Sequence, residues 1–324
     1  MSVLLTPFEK DLLMELQYNF PQGPKPFHIV ADKLGVGIDD VIQTLTKLKE
    51  EKKLKRIGFY VNYRSKGLKA ALIAYSANGK IGDIAEVYAR DPHATHVYQR
   101  DHPVYDLWIV TKRPTLEEIV AHAEEVSRTF NVDYVVLYSV RTYKLSVKYD
   151  LYRGISRSGN YSTVNHNPPS PAEYGVDPGK LSLFRMLEIS PTPYKQIAGE
   201  LGISEEEASK LAWNMLKAGI LGDPGAALDG HRIGFTENAM VVLEPRDQCE
   251  EKLCNCIAKL LFTTHVVQRA SIPAGKWRHT CYFMVHATSK ELIEEMVSEA
   301  IEKCEPKSHL SIKSIADLKP GVVR

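Results

Sequence analysis

The chain has 324 residues, of which 44% are hydrophobic and 25% charged, and its formal net charge is +1 at pH 7. That length accommodates two or more domains, the composition is that of a soluble globular protein, and so small a charge supplies no global field to recruit nucleic acid or an acidic membrane. No apolar run approaches the roughly 18 residues of a membrane span, and Met1 to Phe8 lacks the parts of a signal peptide, so a cytoplasmic protein is expected.

Taken in order, Thr6 to Gln17 places Phe8, Leu12, Leu13 and Leu16 at helical spacing. Phe27 to Leu34 predicts a second helix. After the Gly35-Val36-Gly37 turn, Ile38 to Glu51 predicts a third, with Val41, Ile42, Leu45 and Leu48 inward. Three helices with a glycine turn before the last form a helix-turn-helix, and Lys55 to Tyr63 reads as its wing strand. The period then changes. Leu68 to Tyr75, Ala94 to Arg100, Tyr105 to Thr111 and Val132 to Val147 predict strands, with helices over Ile81 to Arg90 and Leu116 to Phe130. That order, βαββαβ, is the ferredoxin-like motif, whose helices cover one sheet face and leave the other open. Residues 151–179 are rich in Pro, Gly and Asn and read as a linker.

The plan then repeats. Leu181 to Ile189, Tyr194 to Leu201 and Ser204 to Ala218 predict three helices, the last opened by a Ser204/Glu207 capping box. His231-Arg232-Ile233-Gly234-Phe235 matches Lys55-Arg56-Ile57-Gly58-Phe59 at four of five positions and is read as the same wing strand. A second βαββαβ series follows, from Ala239 to Ala316. The expected fold is therefore α+β, a tandem repeat of winged helix-turn-helix plus ferredoxin-like domains. The boundaries are 1–63 and 64–150, the linker 151–179, then 180–235 and 236–324.

The clearest internal copy is Thr95-His96-Val97-Tyr98-Gln99-Arg100 against Thr264-His265-Val266-Val267-Gln268-Arg269, identical at five of six positions. Strand alternation puts His96, Tyr98 and Arg100 on one face, and His265, Val267 and Arg269 on the other copy's equivalent. Histidine next to arginine offers a proton donor near neutral pH and a two-point clamp for carboxylate. The adjacent runs add His102 and Trp108 in the first half, and Lys276, Trp277, Arg278 and His279 in the second. Arg141 and Lys144 lie on the first half's last strand, whereas Ser311 to Leu318 keeps lysines but no arginine, so two inequivalent sites are expected. Arg56 and Arg232 either shape their strands or reach a ligand acid. The recognition positions Asp39-Asp40 and Glu205-Glu206-Glu207 would face phosphate, so duplex DNA is not the expected partner. Cys249, Cys254, Cys256, Cys281 and Cys304 lack the doubled spacing of a zinc site; buried reduced thiols are expected, with no metal site.

A helix-turn-helix followed by βαββαβ resembles the Lrp/AsnC regulators. With His96, Tyr98, Arg100 and Trp108, and more loosely His265, Arg269, Trp277 and Tyr282, the chain resembles more closely the sirohaem decarboxylases, whose two homologous subunits also occur fused. Val267 replaces the family's tyrosine in the second copy, and Arg141-Thr142-Tyr143-Lys144 resembles its last-strand motif. The resemblance implies removal of carbon dioxide from two acetate side chains of sirohaem in alternative haem biosynthesis. It implies His96 and His265 as acids, and Arg56, Tyr98, Arg100, His102, Trp108, Arg141, Lys144, Arg232, Arg269, Lys276, Trp277, Arg278 and His279 as holding residues. Tyr98, Trp108, Trp277, Tyr282 and Phe283 would wall the macrocycle. No separate cofactor is implied: the iron tetrapyrrole is the substrate, and a haem-like product could stay bound. The halves would pair within the chain, homodimerisation being an open alternative. A ligand-responsive transcriptional regulator and a non-catalytic tetrapyrrole-binding protein are the competing readings.

Overall fold

The structure, a computed structural model, describes residues 5–246 and 249–320; the expectation for the amino terminus falls partly on Met1 to Leu4, outside the described residues. In chain order the helices are α1 (Pro7–Tyr18), α2 (Pro26–Leu34), α3 (Ile38–Glu50), α4 (Ile81–Arg90), α5 (Leu116–Phe130), α6 (Lys195–Leu201), α7 (Glu205–Ala218), α8 (Glu250–Lys259) and α9 (Lys290–Cys304). The strands are β1 (Leu54–Val61), β2 (Lys69–Ser76), β3 (Ala94–Arg100), β4 (Leu107–Arg113), β5 (Asp133–Leu145), β6 (Lys148–Asp150), β7 (Ile155–Arg157), β8 (Leu221–Leu228), β9 (Glu237–Glu244), β10 (His265–Ile272), β11 (Cys281–Ala287), β12 (Ser308–Ile312) and β13 (Ser314–Asp317). They assemble into two compact units, each drawing on both sequence halves. One takes residues up to Lys66 with Lys144–Glu237 and His286–Leu292; the other takes Gly67–Tyr143, Asn238–Val285 and the residues from Ile293.

The first unit holds both helix-turn-helix copies. Thr6 opens α1 with a reciprocal cap: its hydroxyl accepts from the Glu9 amide at 3.2 Å, and the Glu9 carboxylate accepts from the Thr6 amide at 2.8 Å. Leu12, Leu13, Leu16, Phe27, Val41 and Leu45 are buried in one core with Trp213, Met215 and Leu221 of the second copy. The wing strands pair with each other: β1 runs antiparallel to β8, with Gly58 opposite Gly225. Both glycines are needed. Each has φ in the left-handed range, and a Cβ would meet Arg185 O at 2.5 Å or Leu16 O at 2.1 Å.

This pairing corrects the wing assignment. His231–Ile233 is a short 3-10 turn, and β8 lies upstream of it. The true counterpart of that turn is the 3-10 turn Tyr63–Lys66, so Arg232 corresponds to Arg64, not to Arg56. The offset 232 − 64 = 168 agrees with 265 − 96 = 169 at the histidine motif. The wing strand was hidden because Gly222-Asp223-Pro224-Gly225 looks like a turn. The predicted helix Leu181–Ile189 is instead 3-10, over Pro178–Arg185, and the stretch read as a linker carries β7 and a further 3-10 turn, Pro171–Tyr174.

The second unit holds both βαββαβ copies. The strand order is β12-β9-β11-β10-β5-β2-β4-β3-β13. Its two ends, β12 and β13, are separated in the chain by Lys313 alone. The two copies are therefore joined at two places along this strand order. Two crossovers join them: β5 passes from β2 to β10, and the β12–β13 run passes from β9 to β3. The predicted continuous strand Leu310 to Ala316 is thus broken at its crossover. The sheet faces left open by the helices meet each other. Leu72, Ala74, Trp108, Val135 and Leu137 of the first copy share a buried cluster with Met240, Val242, Tyr282 and Ile312 of the second.

Candidate functional site

The doubled motif lies in this second unit, on strands that both border a crossover. In β3, Val97 is buried with Ile84 and Ile119 on the helix side. The alternate residues His96, Tyr98 and Arg100 face the other way, alongside Trp108 and Val110 of β4. In β10, Val267 lies opposite Tyr282 and Val266 opposite Phe283. Tyr282 belongs to the cluster between the sheets. Phe283, its neighbour on β11, therefore points to the opposite face, and the expectation that it walls a ligand is corrected on that ground.

The two arginines occupy equivalent places. Arg269 Nη1 donates to Leu137 O at 3.0 Å and Ser139 Oγ at 3.1 Å on the β5 crossover, and its guanidinium sits 5.3 Å from the Tyr282 ring centre. Arg100 Nη1 reaches Ile312 O at 3.5 Å on the other crossover and lies 5.0 Å from the Tyr98 ring centre. Arg100 is only 6% exposed. Its Nε has no hydrogen-bond acceptor among the described residues, and burial lowers its pKa to about 10. Among the described residues no carboxylate forms an ion pair with this buried cation, Asp101 acting on it only as a charge nearby.

The histidines differ. His96 is half-buried, with its ring 5.7 Å from Tyr98 and Nδ1 2.9 Å from Thr95 Oγ1. For His265 the corresponding Thr264 Oγ1 distance is 3.4 Å. Burial, and then the Arg269 and Lys112 cations, push His265 down to about 4. Nothing in the sequence marks Lys112. It follows Trp108 and Val110 at strand spacing on β4, so it faces the second copy, a relation no local pattern reveals.

A ring cluster unites several of the other expected residues. The Trp277 ring lies 5.4 Å from His102, 5.8 Å from Tyr105, 5.7 Å from Trp108 and 5.5 Å from His279. His102 Nδ1 accepts from the Val104 and Tyr105 amides, and Trp108 Nε1 donates to Tyr105 O at 2.7 Å. Trp108 is fully buried, so it belongs to the core between the sheets rather than to an open wall. Three surface cations already hold carboxylates: Arg141 with Glu251 at 2.6 Å, Lys276 with Asp133 at 2.5 Å, and Arg278 with Glu244 at 3.5 Å. Arg56, Lys144 and Arg232 belong to the first unit. There Arg56 is buried and donates to Phe59 O and Arg185 O, burial pushes Lys144 down to about 8, and Arg232 is exposed.

The cysteine expectation is overturned. Cys254 of α8 is bonded to Cys281 of β11, and Cys256 to Cys304 at the end of α9, both with Cα atoms 5.7 Å apart; Cys249 is free and exposed. These partners meet only through the tertiary fold, which spacing alone does not reveal. By chain-entropy reckoning loops of this length are worth about 3.5–4 kcal/mol each. Alkylation of the unfolded chain without reductant should label one cysteine, and after reduction five; five labels before reduction would refute the pairing.

Burial also sets a pH dependence. Burial and then Arg278 push His279 down to about 4, as happens at His265, while Glu244 opposes the shift at His279. Both pKa values are depressed from 6.5, so the unfolded chain takes up protons first as pH falls. The stability that these two histidines contribute is full above about pH 6.5 and is lost towards pH 4, each proton contributing a slope of about 1.4 kcal/mol per pH unit. The melting temperature should fall between pH 7 and pH 4.5, and less steeply in His279→Gln; equal slopes would refute the assignment.

Comparison with known proteins bears on the same regions. The family model of the AsnC-like ligand binding domain matches residues 65–144 and 232–319, more than half of the chain, and that of the siroheme decarboxylase NirDL-like HTH domain matches residues 9–54. A siroheme decarboxylase of Hydrogenobacter thermophilus is 27% identical over 303 residues, covering 91% of this chain and 87% of its own. The siroheme decarboxylase NirDL subunit of Paracoccus denitrificans is 24% identical, covering 89% and 87%. The siroheme decarboxylase beta subunit of Methanosarcina barkeri is 34% identical over 132 residues, 39% of this chain and 86% of its own. The crystal structure of the siroheme decarboxylase NirDL in complex with an iron-uroporphyrin III analogue shares the fold, with a TM-score of 0.64 at 22% identity over 97% of this chain and 92% of that one. Among the described residues no helix is long and apolar enough to cross a membrane.

Proposed function

The chain belongs to the siroheme decarboxylase family, in the fused form that carries two AsnC-like ligand-binding domains, and from that premise we propose that it takes sirohaem and removes carbon dioxide from two of its acetate side chains to give didecarboxysirohaem. In each step the bond between the acetate methylene and its carboxylate carbon breaks. The electron pair delocalises into the pyrrole, and a proton delivered to the methylene carbon leaves a methyl group. A positioned acid suits this chemistry. His96 and His265, which occupy equivalent places in the two copies, are assigned that role. The iron belongs to the substrate and no further cofactor takes part.

The observation that carries the reading is Arg100. A guanidinium buried with no ion pair among the described residues suits a site whose counter-charge arrives with the ligand, and a tetrapyrrole with many carboxylates brings it. The same logic applies to His265. Unliganded, it is held neutral near two cations; a docked carboxylate offsets Arg269 and Lys112 and raises its pKa towards the range of an acid. A duplex-DNA partner fits poorly. Lys47 is held by Glu9 at 2.9 Å, Lys53 by Glu51 at 2.7 Å and Lys55 by Asp229 at 3.4 Å, so three of the cations in and after α3 are paired within their own unit. Anaerobic incubation with sirohaem, followed by mass analysis, tests the proposal. Loss of two carbon dioxide units is expected, and an unchanged mass would refute it.

A further inference from the structure

We infer that Thr95 and Thr264 are positioning residues that fix the tautomer of the two histidines, so that each exchanges its proton through Nε2. Consecutive side chains on a regular strand point to opposite faces and do not meet. Thr95 and His96 meet because the β3–β4 register slips between Ala94, opposite Thr111, and His96, opposite Val110. Such a bulge re-aims the residue beside it. Thr264 and His265 meet because Thr264 stands just before β10 begins. Two different backbone devices thus produce the same side-chain contact.

The carbonyl contacts are the ground on which we assign the direction of each bond. Thr95 Oγ1 donates to Val110 O at 3.3 Å, and Thr264 Oγ1 donates to Met284 O at 3.2 Å. A hydroxyl has one proton and two acceptor sites. With that proton on the carbonyl, the oxygen accepts, and the nearby imidazole nitrogen, Nδ1 in both copies, must be the donor. The neutral ring then carries its proton on Nδ1, leaving Nε2 to gain one and pass it on. Threonine at these two places is among the identities of the doubled motif, and the contact gives it a chemical purpose. The catalytic part of this inference rests on the decarboxylase reading; the tautomer does not.

Thr95→Val and Thr264→Val keep the shape and remove the hydroxyl, whereas Thr→Ser keeps it. Histidine nitrogen NMR on the substrate-free chain should show Nδ1–H for His96 and His265 in the wild type and the Ser variants, and loss of that preference in the Val variants. With sirohaem, the Val variants should lose about ten- to a hundredfold in kcat, as expected for one hydrogen bond to a charged ring, with KM little changed and activity restored by Ser. Wild-type tautomers in the Val variants, or Ser variants as impaired as Val, would overturn the inference. If the wild type leaves sirohaem unchanged, the decarboxylase reading fails and the NMR result alone decides the tautomer.

Discussion

His96→Ala and His265→Ala are each expected to lose roughly 10²- to 10⁴-fold in the decarboxylation that the missing residue serves, the range for a general acid, with tetrapyrrole binding little changed. The product masses distinguish the possible divisions of labour. A mono-decarboxylated species accumulating in either variant means two steps with separate donors. Loss of both steps in His96→Ala and neither in His265→Ala means one active site. The environments predict inequality. His265 is held neutral by burial, Arg269 and Lys112, so its step depends on the carboxylates that arrive with the ligand, and its rate should fall more steeply as pH rises above neutrality. Wild-type turnover in both single variants and the double variant would show that the histidines are structural.

The architecture was legible because hydrophobic period changes twice and because the Thr-His-Val-x-Gln-Arg motif repeats. Both βαββαβ copies and the shared face of His96, Tyr98 and Arg100 follow from alternation alone. What stayed hidden was tertiary. Strand pattern does not say that the open faces of the two sheets bury each other, so Trp108 read as a ligand wall and is core. The ion pairs of Arg141, Lys276 and Arg278 were also hidden, because their carboxylate partners, Glu251, Asp133 and Glu244, are distant in sequence. The match of His231–Phe235 to Lys55–Phe59 at four of five positions is a coincidence, which the strand pairing corrects. Lys112 gave no sign at all, since its importance comes from facing the other copy.

Arg100 is expected to show opposite effects on stability and binding. Its guanidinium is 6% exposed, reaches one carbonyl at 3.5 Å, and has no acceptor at Nε among the described residues. Replacing a poorly compensated buried ion with an apolar side chain of similar volume is often neutral or stabilising, by about 1–4 kcal/mol. Arg100→Met should therefore leave the melting temperature of the unliganded chain unchanged or raise it. The same change removes a cation from the proposed carboxylate site. Affinity for sirohaem should fall by about ten- to a hundredfold, the worth of one or two hydrogen bonds to a charged group. Arg100→Lys tests geometry as well as charge, because an ammonium cannot reproduce the planar fork, and it should restore only part of the affinity. Arg269 differs in being half-buried and anchored to both Leu137 O and Ser139 Oγ. Arg269→Met should lose stability as well, through the crossover it clamps. Calorimetric melting of the free proteins and spectroscopic titration with sirohaem measure the two quantities separately. If Arg100→Met melts well below the wild type while binding sirohaem normally, the arginine is a clamp for the β12–β13 crossover and the carboxylate site lies elsewhere.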